Sequence, residues 1–462
     1  MANLNPRRLA TIAKWQEDLV ESGKLPNVQV VVWRNGEVAF NETRGNLRKN
    51  VAAPNDAIYR FYSMTKPIVS VALMQLYEQG RFRLTDPVHL YLGDRWKKKN
   101  MKVYQSGDVK VGIETTKCEK TITIHHVLTH TSGISYGFDT AGIENKVDAL
   151  YYSSGLLSRG NFNPAKERTL RDFVDLLAEQ PLLFQPGMFY KYGFNTDVVA
   201  RIIEVISGVS IDQYLRERIF EPCGMVDCGY SVPTIKAHRF SDLFLDKMSM
   251  ARLMPSKKKI KPGNELVNVT NIDGGASLGG KFNDRPRKNR HLSGGSGLVG
   301  TALDYARFCE MLMYGGESRD GHRIISPKTL EFMTQNHLYQ DGIEQDMEEM
   351  MAPGYTETTA AAGTGFGLGF SCILSASRTK NINSFGSFRW GGAASTTFFC
   401  DPEENMFCVL MTQLLLRDEH KLPLTSTLKQ LAYGAIDDSI KERKLRKMTK
   451  VSPISTLGVA KL

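Results

Sequence analysis

Ala57-Ile58-Tyr59-Arg60-Phe61-Tyr62-Ser63-Met64-Thr65-Lys66-Pro67-Ile68-Val69-Ser70-Val71-Ala72-Leu73-Met74-Gln75-Leu76-Tyr77-Glu78-Gln79-Gly80 changes its periodicity at Ser63. Ala57–Phe61 is a run of strand-forming residues. Beyond it, Val69, Ala72, Leu73, Leu76 and Tyr77 recur at i, i+3, i+4, the spacing of one buried helix face. The pattern predicts a short strand running into a helix over Ser63–Gln79, stopped by Gly80. Pro67 suits the opening turn, whose N–H groups have no partner inside the helix and tolerate a missing donor. Ser63 then stands at the helix mouth, with Lys66 one turn on and on the same face. A desolvated amine there can take the hydroxyl proton, and the free amide of Ser63 can face an oxyanion.

The spacing S-x-x-K recurs by chance, and this chain has it four times: Ser63–Lys66, Ser256–Lys259, Ser377–Lys380 and Ser426–Lys429. Only the first lies where a strand gives way to a strongly apolar helix. Ser256 falls in a basic loop, Ser377 in a polar hairpin connection and Ser426 at the mouth of the last helix, where polar groups are expected as caps.

Upstream, after one amphipathic helix, Val28–Arg34 and Glu37–Thr43 flank Asn35-Gly36, a pair that tolerates positive φ and predicts a two-residue type I′ hairpin. Downstream, from about 86 to 292, the chain reads as helices (Ile124–Leu128, Leu170–Ala178, Asp197–Ser207, Ile211–Ile219) between long polar loops. Strand patterns return after a helix at Ala302–Tyr314: Gly367–Leu374, Thr396–Cys400 and Met406–Thr412, with a last helix at Ser426–Ile440. Two- or three-stranded sheets are marginal alone, so strands at both ends predict one mainly antiparallel sheet with helices on both faces. The expected fold class is α+β. Residues 1–85 and 293–440 form the sheet domain, 86–292 a mainly helical insertion and 441–462 a basic tail.

The 462 residues are 42% hydrophobic and 23% charged, the balance of a globular protein rather than a disordered one. No apolar run reaches the ~18–20 residues needed to span a bilayer. Met1–Gln16 carries Arg7 and Arg8 but no apolar core of a secretory signal. The net charge of +10 is mostly local: Lys441–Leu462 holds seven Lys/Arg and one Glu, leaving only +4 for the rest. Without aromatics between them, the basic knots Lys97–Lys99 and Lys257–Lys259 read as solvated turns, so no nucleic-acid partner is expected. Seven scattered cysteines without a CxxC fit a reducing compartment.

A second serine logic is offered by Gly275-Ala276-Ser277-Leu278-Gly279, the pentapeptide G-x-S-x-G. That motif needs a strand–turn–helix, and Gly280–Arg287 will not form a helix, so Ser277 reads as a loop serine. Ser63 has better company. Pro186-Gly187-Met188-Phe189-Tyr190-Lys191-Tyr192-Gly193-Phe194-Asn195-Thr196-Asp197 runs into a helix, and Phe388-Arg389-Trp390-Gly391-Gly392-Ala393-Ala394-Ser395-Thr396 runs into a strand. With Leu84–Pro87, Leu128–Gly133, Arg218–Pro222 and Gly294–Leu298, these phrases cover about residues 25 to 435. In this order they resemble the serine β-lactamase/penicillin-binding-protein superfamily, and within it the family VIII carboxylesterases, which are similar to class C β-lactamases.

The resemblance implies a β-lactamase/transpeptidase-like fold and a serine esterase cleaving small to medium acyl esters through an acyl-enzyme, without cofactor or metal. Ser63 would be the nucleophile, Lys66 the residue that helps deprotonate it, and Tyr192 the phenol that shuttles the proton, with Tyr190 a neighbouring rival. A phenol ionises near pH ~10, so Tyr192 needs a cation such as Lys66 beside it. Trp390-Gly391-Gly392 stands where β-lactamases carry Lys-Thr-Gly, with the amides of Ser63 and Ala393 as oxyanion hole. Trp390 removes the cation that holds a β-lactam carboxylate and so favours neutral esters. Asn195 stands three residues after Tyr192 rather than two, with Phe194 in its place. Alternatives are acyl transfer, weak β-lactamase or D-amino peptidase activity on the same site, and a non-catalytic penicillin-binding-like assembly protein. His125, His126 and His130 invite a metal reading, but no third ligand of suitable spacing follows. Ala460-Lys461-Leu462 varies the peroxisomal Ser-Lys-Leu ending, so an import receptor is an expected partner and the location peroxisomal or cytoplasmic.

Overall fold

The structure is a computed structural model and describes residues 2–108, 111–137, 146–157, 168–247, 265–270, 291–352, 362–439 and 442. Ser256–Lys259, the pentapeptide around Ser277 and Ala460–Leu462 lie outside these residues.

The elements that position the site are, in chain order, α1 (Pro6–Glu21), β1 (Asn27–Arg34), β2 (Glu37–Arg48), β3 (Val51–Ala52), β4 (Ile58–Arg60) and α2 (Thr65–Glu78). There follow α3 (Ile124–Leu128), α4 (Leu170–Leu177), α5 (Asn195–Ser207), β5 (Val299–Thr301) and α6 (Ala302–Met313). The last are β6 (Thr364–Phe366), β7 (Ser371–Ile373), β8 (Phe388–Gly391), β9 (Thr397–Asp401), β10 (Met406–Met411) and α7 (Leu424–Gly434). An eight-stranded antiparallel sheet runs β6-β7-β8-β9-β10-β1-β2-β3, so both chain ends build it, as expected. The β1–β2 connection has Asn35 at φ 53° and Gly36 at φ 89°, the pair of positive values a type I′ turn demands.

β1 is buried along its whole length because helices cover both sides. Val28, Val30 and Val32 pack with Leu9 and Ile12 of α1 and Leu424 and Leu428 of α7. Val31 and Trp33 face α2 and α6 in the larger core, the alternation a strand imposes. The second sheet face therefore supports α2, which carries Lys66, while β4 pairs with β5 apart from the main sheet.

Several boundaries differ from expectation. Gly367–Leu374 is not one strand: Gly367 N–H donates to Phe370 O (2.7 Å) and Gly369 has φ 100°, which turns the chain between β6 and β7. The last helix ends at Gly434, six residues early. The middle segment also holds a hairpin, Lys102–Asp108 with Gly112–Lys117, that periodicity had not suggested. All seven cysteines are free thiols.

Candidate functional site

Ser63 lies one turn before α2 in a short 3-10 turn, Tyr62–Met64, entered by Tyr62 at φ 48°. It is 9% exposed, and Lys66, in the first turn of α2, is 2% exposed. The (i, i+3) spacing brings Lys66 Nζ within 3.3 Å of Ser63 Oγ. Lys66 Nζ also donates to Gly295 O (2.8 Å) and lies 3.5 Å from Tyr136 OH. Burial drives its pKa down to about 7, against the opposing attraction of Asp197.

Tyr192 comes to the same place from a distant stretch of chain. Lys66 Nζ sits 4.5 Å from the centre of its ring and 5.0 Å from that of Tyr136, and the two rings stack at 5.2 Å. Tyr136 is a residue the sequence reading missed. Its phenol is hydrogen-bonded to both Ser63 and Ser296, and burial pushes its pKa well up. Only its position after the Leu128–Gly133 phrase could have marked it.

The displaced Asn195 has another job. Its side-chain amide pairs with His130 Nδ1 (3.0 Å), to which Gly193 N–H also donates (3.3 Å). His130 lies against Tyr192, ring centres 4.8 Å apart. Burial, with Lys66 nearby, holds its pKa well below the usual imidazole range. Phe194, in the position where β-lactamases place Asn, stacks on Tyr136 at 4.6 Å. Gly193 is required: a Cβ there would lie 2.1 Å from Ile134 O. The rival Tyr190 packs instead against Phe366 and His130.

β8 reaches the site from the other end of the chain. Trp390 is buried beside Tyr192 (5.4 Å) and Phe366 (5.2 Å), making an aromatic wall. Its indole N–H has no hydrogen-bond partner among the described residues. Gly392 abuts the turn before Ser63: a Cβ would lie 2.3 Å from both Phe61 O and Thr396 Oγ1. Among the described residues, no backbone carbonyl accepts from the amides of Ser63 or Ala393. The arrangement thus offers a hydroxyl beside an amine, two phenols, two uncommitted amides and an apolar wall.

Behind Lys66 lies a second group that sequence reading missed. Ser293 Oγ is 2.7 Å from Asp197 Oδ1 and 3.1 Å from Ser296 Oγ. Gly295 separates Asp197 from Lys66; a Cβ on it would lie 2.8 Å from Asp197 Oδ2 and 3.3 Å from Lys66 Nζ. The remaining candidates disperse. Ser426 Oγ donates to Pro423 O (3.2 Å) while Lys429 pairs with Asn383, and Ser377 Oγ meets Ser375 Oγ. His125 Nε2 faces His337 Nδ1 at 3.3 Å, and Thr123 N–H donates to His126 Nδ1. Among the described residues no three His, Cys, Asp or Glu side chains converge as metal ligands.

The family description Beta-lactamase matches residues 12–429. Esterase EstB of Burkholderia gladioli is 26% identical over 419 residues, covering 89% of this chain and 91% of its own. Lovastatin esterase of Penicillium rubens is 24% identical over 405 residues, covering 86% and 91%. Among solved structures, EstCE1, a hydrolase with promiscuous acyltransferase activity, superposes with a TM-score of 0.68 at 20% identity, covering 94% of this chain and 99% of that one.

Proposed function

The chain belongs to the β-lactamase family, and from that premise we propose that it is a serine esterase acting through an acyl-enzyme on Ser63. The carrying observation is Ser63 Oγ at 3.3 Å from an amine whose pKa is brought to about 7 by burial. Near neutrality Lys66 is partly neutral and can accept the Ser63 proton as the oxygen attacks the ester carbonyl. The Ser63 and Ala393 amides receive the carbonyl oxygen as it becomes an oxyanion. Tyr192, with Lys66 over its ring, passes a proton to the departing alkoxide and then takes one from water. Trp390 and Phe366 favour an apolar, uncharged substrate, as the esterase names of the relatives suggest. Ser63→Ala should abolish turnover of a short-chain chromogenic ester and labelling by a fluorophosphonate; retained turnover would refute the reading.

The same aromatic wall favours a second outcome, acyl transfer. A site that keeps water from the acyl-enzyme lets an alcohol take the acyl group, and EstCE1 carries both activities by name. Product analysis with added acceptor alcohol separates transfer from hydrolysis. For location, no helix among the described residues is long and apolar enough to cross a membrane. The reading of Ala460-Lys461-Leu462 as an import signal rests on its likeness to Ser-Lys-Leu. A fluorescent fusion at the N-terminus, with and without the tripeptide, tests it.

A further inference from the structure

We propose that Ser293 and Ser296 are positioning residues for the nucleophile: with Asp197 and Tyr136 they form a one-way hydroxyl chain that holds the Tyr136 oxygen as an acceptor facing Ser63 and Lys66. The proposal rests on the reading of Ser63 as nucleophile and adds to it a device that sets the direction of its hydrogen bonds.

The direction follows from counting protons. Ser293 Oγ, 2.7 Å away, donates its proton to Asp197 Oδ1. Ser293 has then spent its one proton. Its 3.1 Å contact with Ser296 is made by Ser296 donating, and Gly295 N–H donates to Ser293 Oγ as well (3.2 Å). Tyr136 is hydrogen-bonded to Ser296, and because Ser296 has no proton left for it, the count makes the phenol O–H the donor. The Tyr136 oxygen is left to accept on its other side.

That side holds Ser63 and Lys66. As an ammonium, Lys66 gives its three protons toward Gly295 O, Ser63 Oγ and the Tyr136 oxygen, and the Ser63 O–H has Tyr136 as acceptor. As a neutral amine, Lys66 keeps N–H groups for Gly295 O and Tyr136 and turns its lone pair to the Ser63 O–H. In neither state does Tyr136 cap the Ser63 oxygen with a proton, which would oppose attack. During acylation one O–H bond breaks at Ser63 and one N–H bond forms at Lys66; no proton leaves along the chain. Tyr136 is 6% exposed, Ser293 and Ser296 3% and Asp197 1%, so these bonds lie out of bulk solvent and each polarises the next.

Removing the middle hydroxyl frees Tyr136 to donate to Ser63 instead. Ser296→Ala should lower kcat for a chromogenic ester about 10- to 100-fold, the effect of one misdirected buried hydrogen bond, with KM little changed. Tyr136→Phe should cost a similar factor, and the double variant no more than either single one. Ser296→Thr, which keeps the hydroxyl, should recover most of the rate, and Ser293→Ala should reproduce the loss if Ser296→Ala melts early. Unchanged kcat in both serine variants, or losses that multiply in the double variant, would overturn the chain. Fluorophosphonate labelling keeps the two readings apart. If wild type and Ser296→Ala label Ser63 equally fast, the chain fails while the nucleophile stands; if wild type neither labels nor turns over ester, both fail.

Discussion

Lys66 shows what burial does to one group. An unfolded lysine holds its proton to about pH 10, whereas here desolvation outweighs the pull of Asp197 and brings the value to about 7. Two consequences carry opposite tests. If the neutral amine is the base, kcat/KM for a neutral ester should climb about tenfold per pH unit below 7 and level above it, and Lys66→Met should lower kcat by about 100-fold or more. For stability the sign is set by where protons bind. Between about pH 7 and 10 the unfolded chain holds the proton that the folded chain has released, so this residue's contribution rises with pH. Below 7 both states are protonated and the full cost of burying the ammonium remains. Thermal melts across pH 6 to 10 should therefore show wild type gaining on Lys66→Met as pH rises; a constant difference would contradict the low value. Ser63 and Lys66 were legible because an (i, i+3) pair is a local pattern. Tyr136, Ser293 and Ser296 were not, since each matters through a partner far along the chain and none has a spacing that announces it.

The turn before α2 and the end of β8 are held in register by the Thr396 hydroxyl and by the close approach of Gly392 to the Phe61 carbonyl. Thr396 Oγ1 donates to Phe61 O (3.3 Å) and Gly392 N–H to Thr396 O (2.8 Å), leaving no room at Gly392 for a Cβ. Gly392→Ala should push β8 from Ser63 and displace the Ala393 amide. A loss of about 100- to 1000-fold in kcat is expected, as for removal of one oxyanion donor, with the fold intact by circular dichroism. At the far side of the sheet, Arg34 of β1 is fully buried and pairs with Asp438 and Glu404, which ties the first strand to the last described segment. Arg34→Ala removes the guanidinium that two buried carboxylates share and should cost about 3–5 kcal/mol in denaturant unfolding; a loss under about 1 kcal/mol would mean that water or neighbouring groups replace the guanidinium. The β1–β2 hairpin was readable because Asn35-Gly36 encodes its own turn. Gly367–Leu374 was misread because its bend is imposed by packing: a Cβ on Gly369 would lie 2.4 Å from Ser70 Oγ of α2.

The sheet order makes the candidate site a product of the whole chain. β1 lies between β2, its neighbour in sequence, and β10, which follows it by more than 370 residues. Ser63 and Lys66 come from the first part, Tyr136, Tyr192 and Asp197 from the middle, and Ser293, Ser296 and Trp390 from the last. Hydrophobic patterning at both ends could announce that a shared sheet exists, but not which strand lies beside β1, because Met406–Met411 and Thr397–Asp401 are both wholly buried and both built around apolar side chains. The pairing itself makes a prediction. In a fragment of residues 1–292, β1 keeps β2 but loses β10, and Val28–Arg34, buried in the full chain, becomes an apolar unpaired edge open to self-association. Such a fragment should show no cooperative thermal unfolding, should aggregate at concentrations where the full chain does not, and should leave Ser63 unlabelled by fluorophosphonate although Ser63, Lys66 and Tyr192 are all present. A cooperative melt from the fragment would mean that the middle segment and the first strands form a stable unit of their own, and that the last strands dock onto a site already folded.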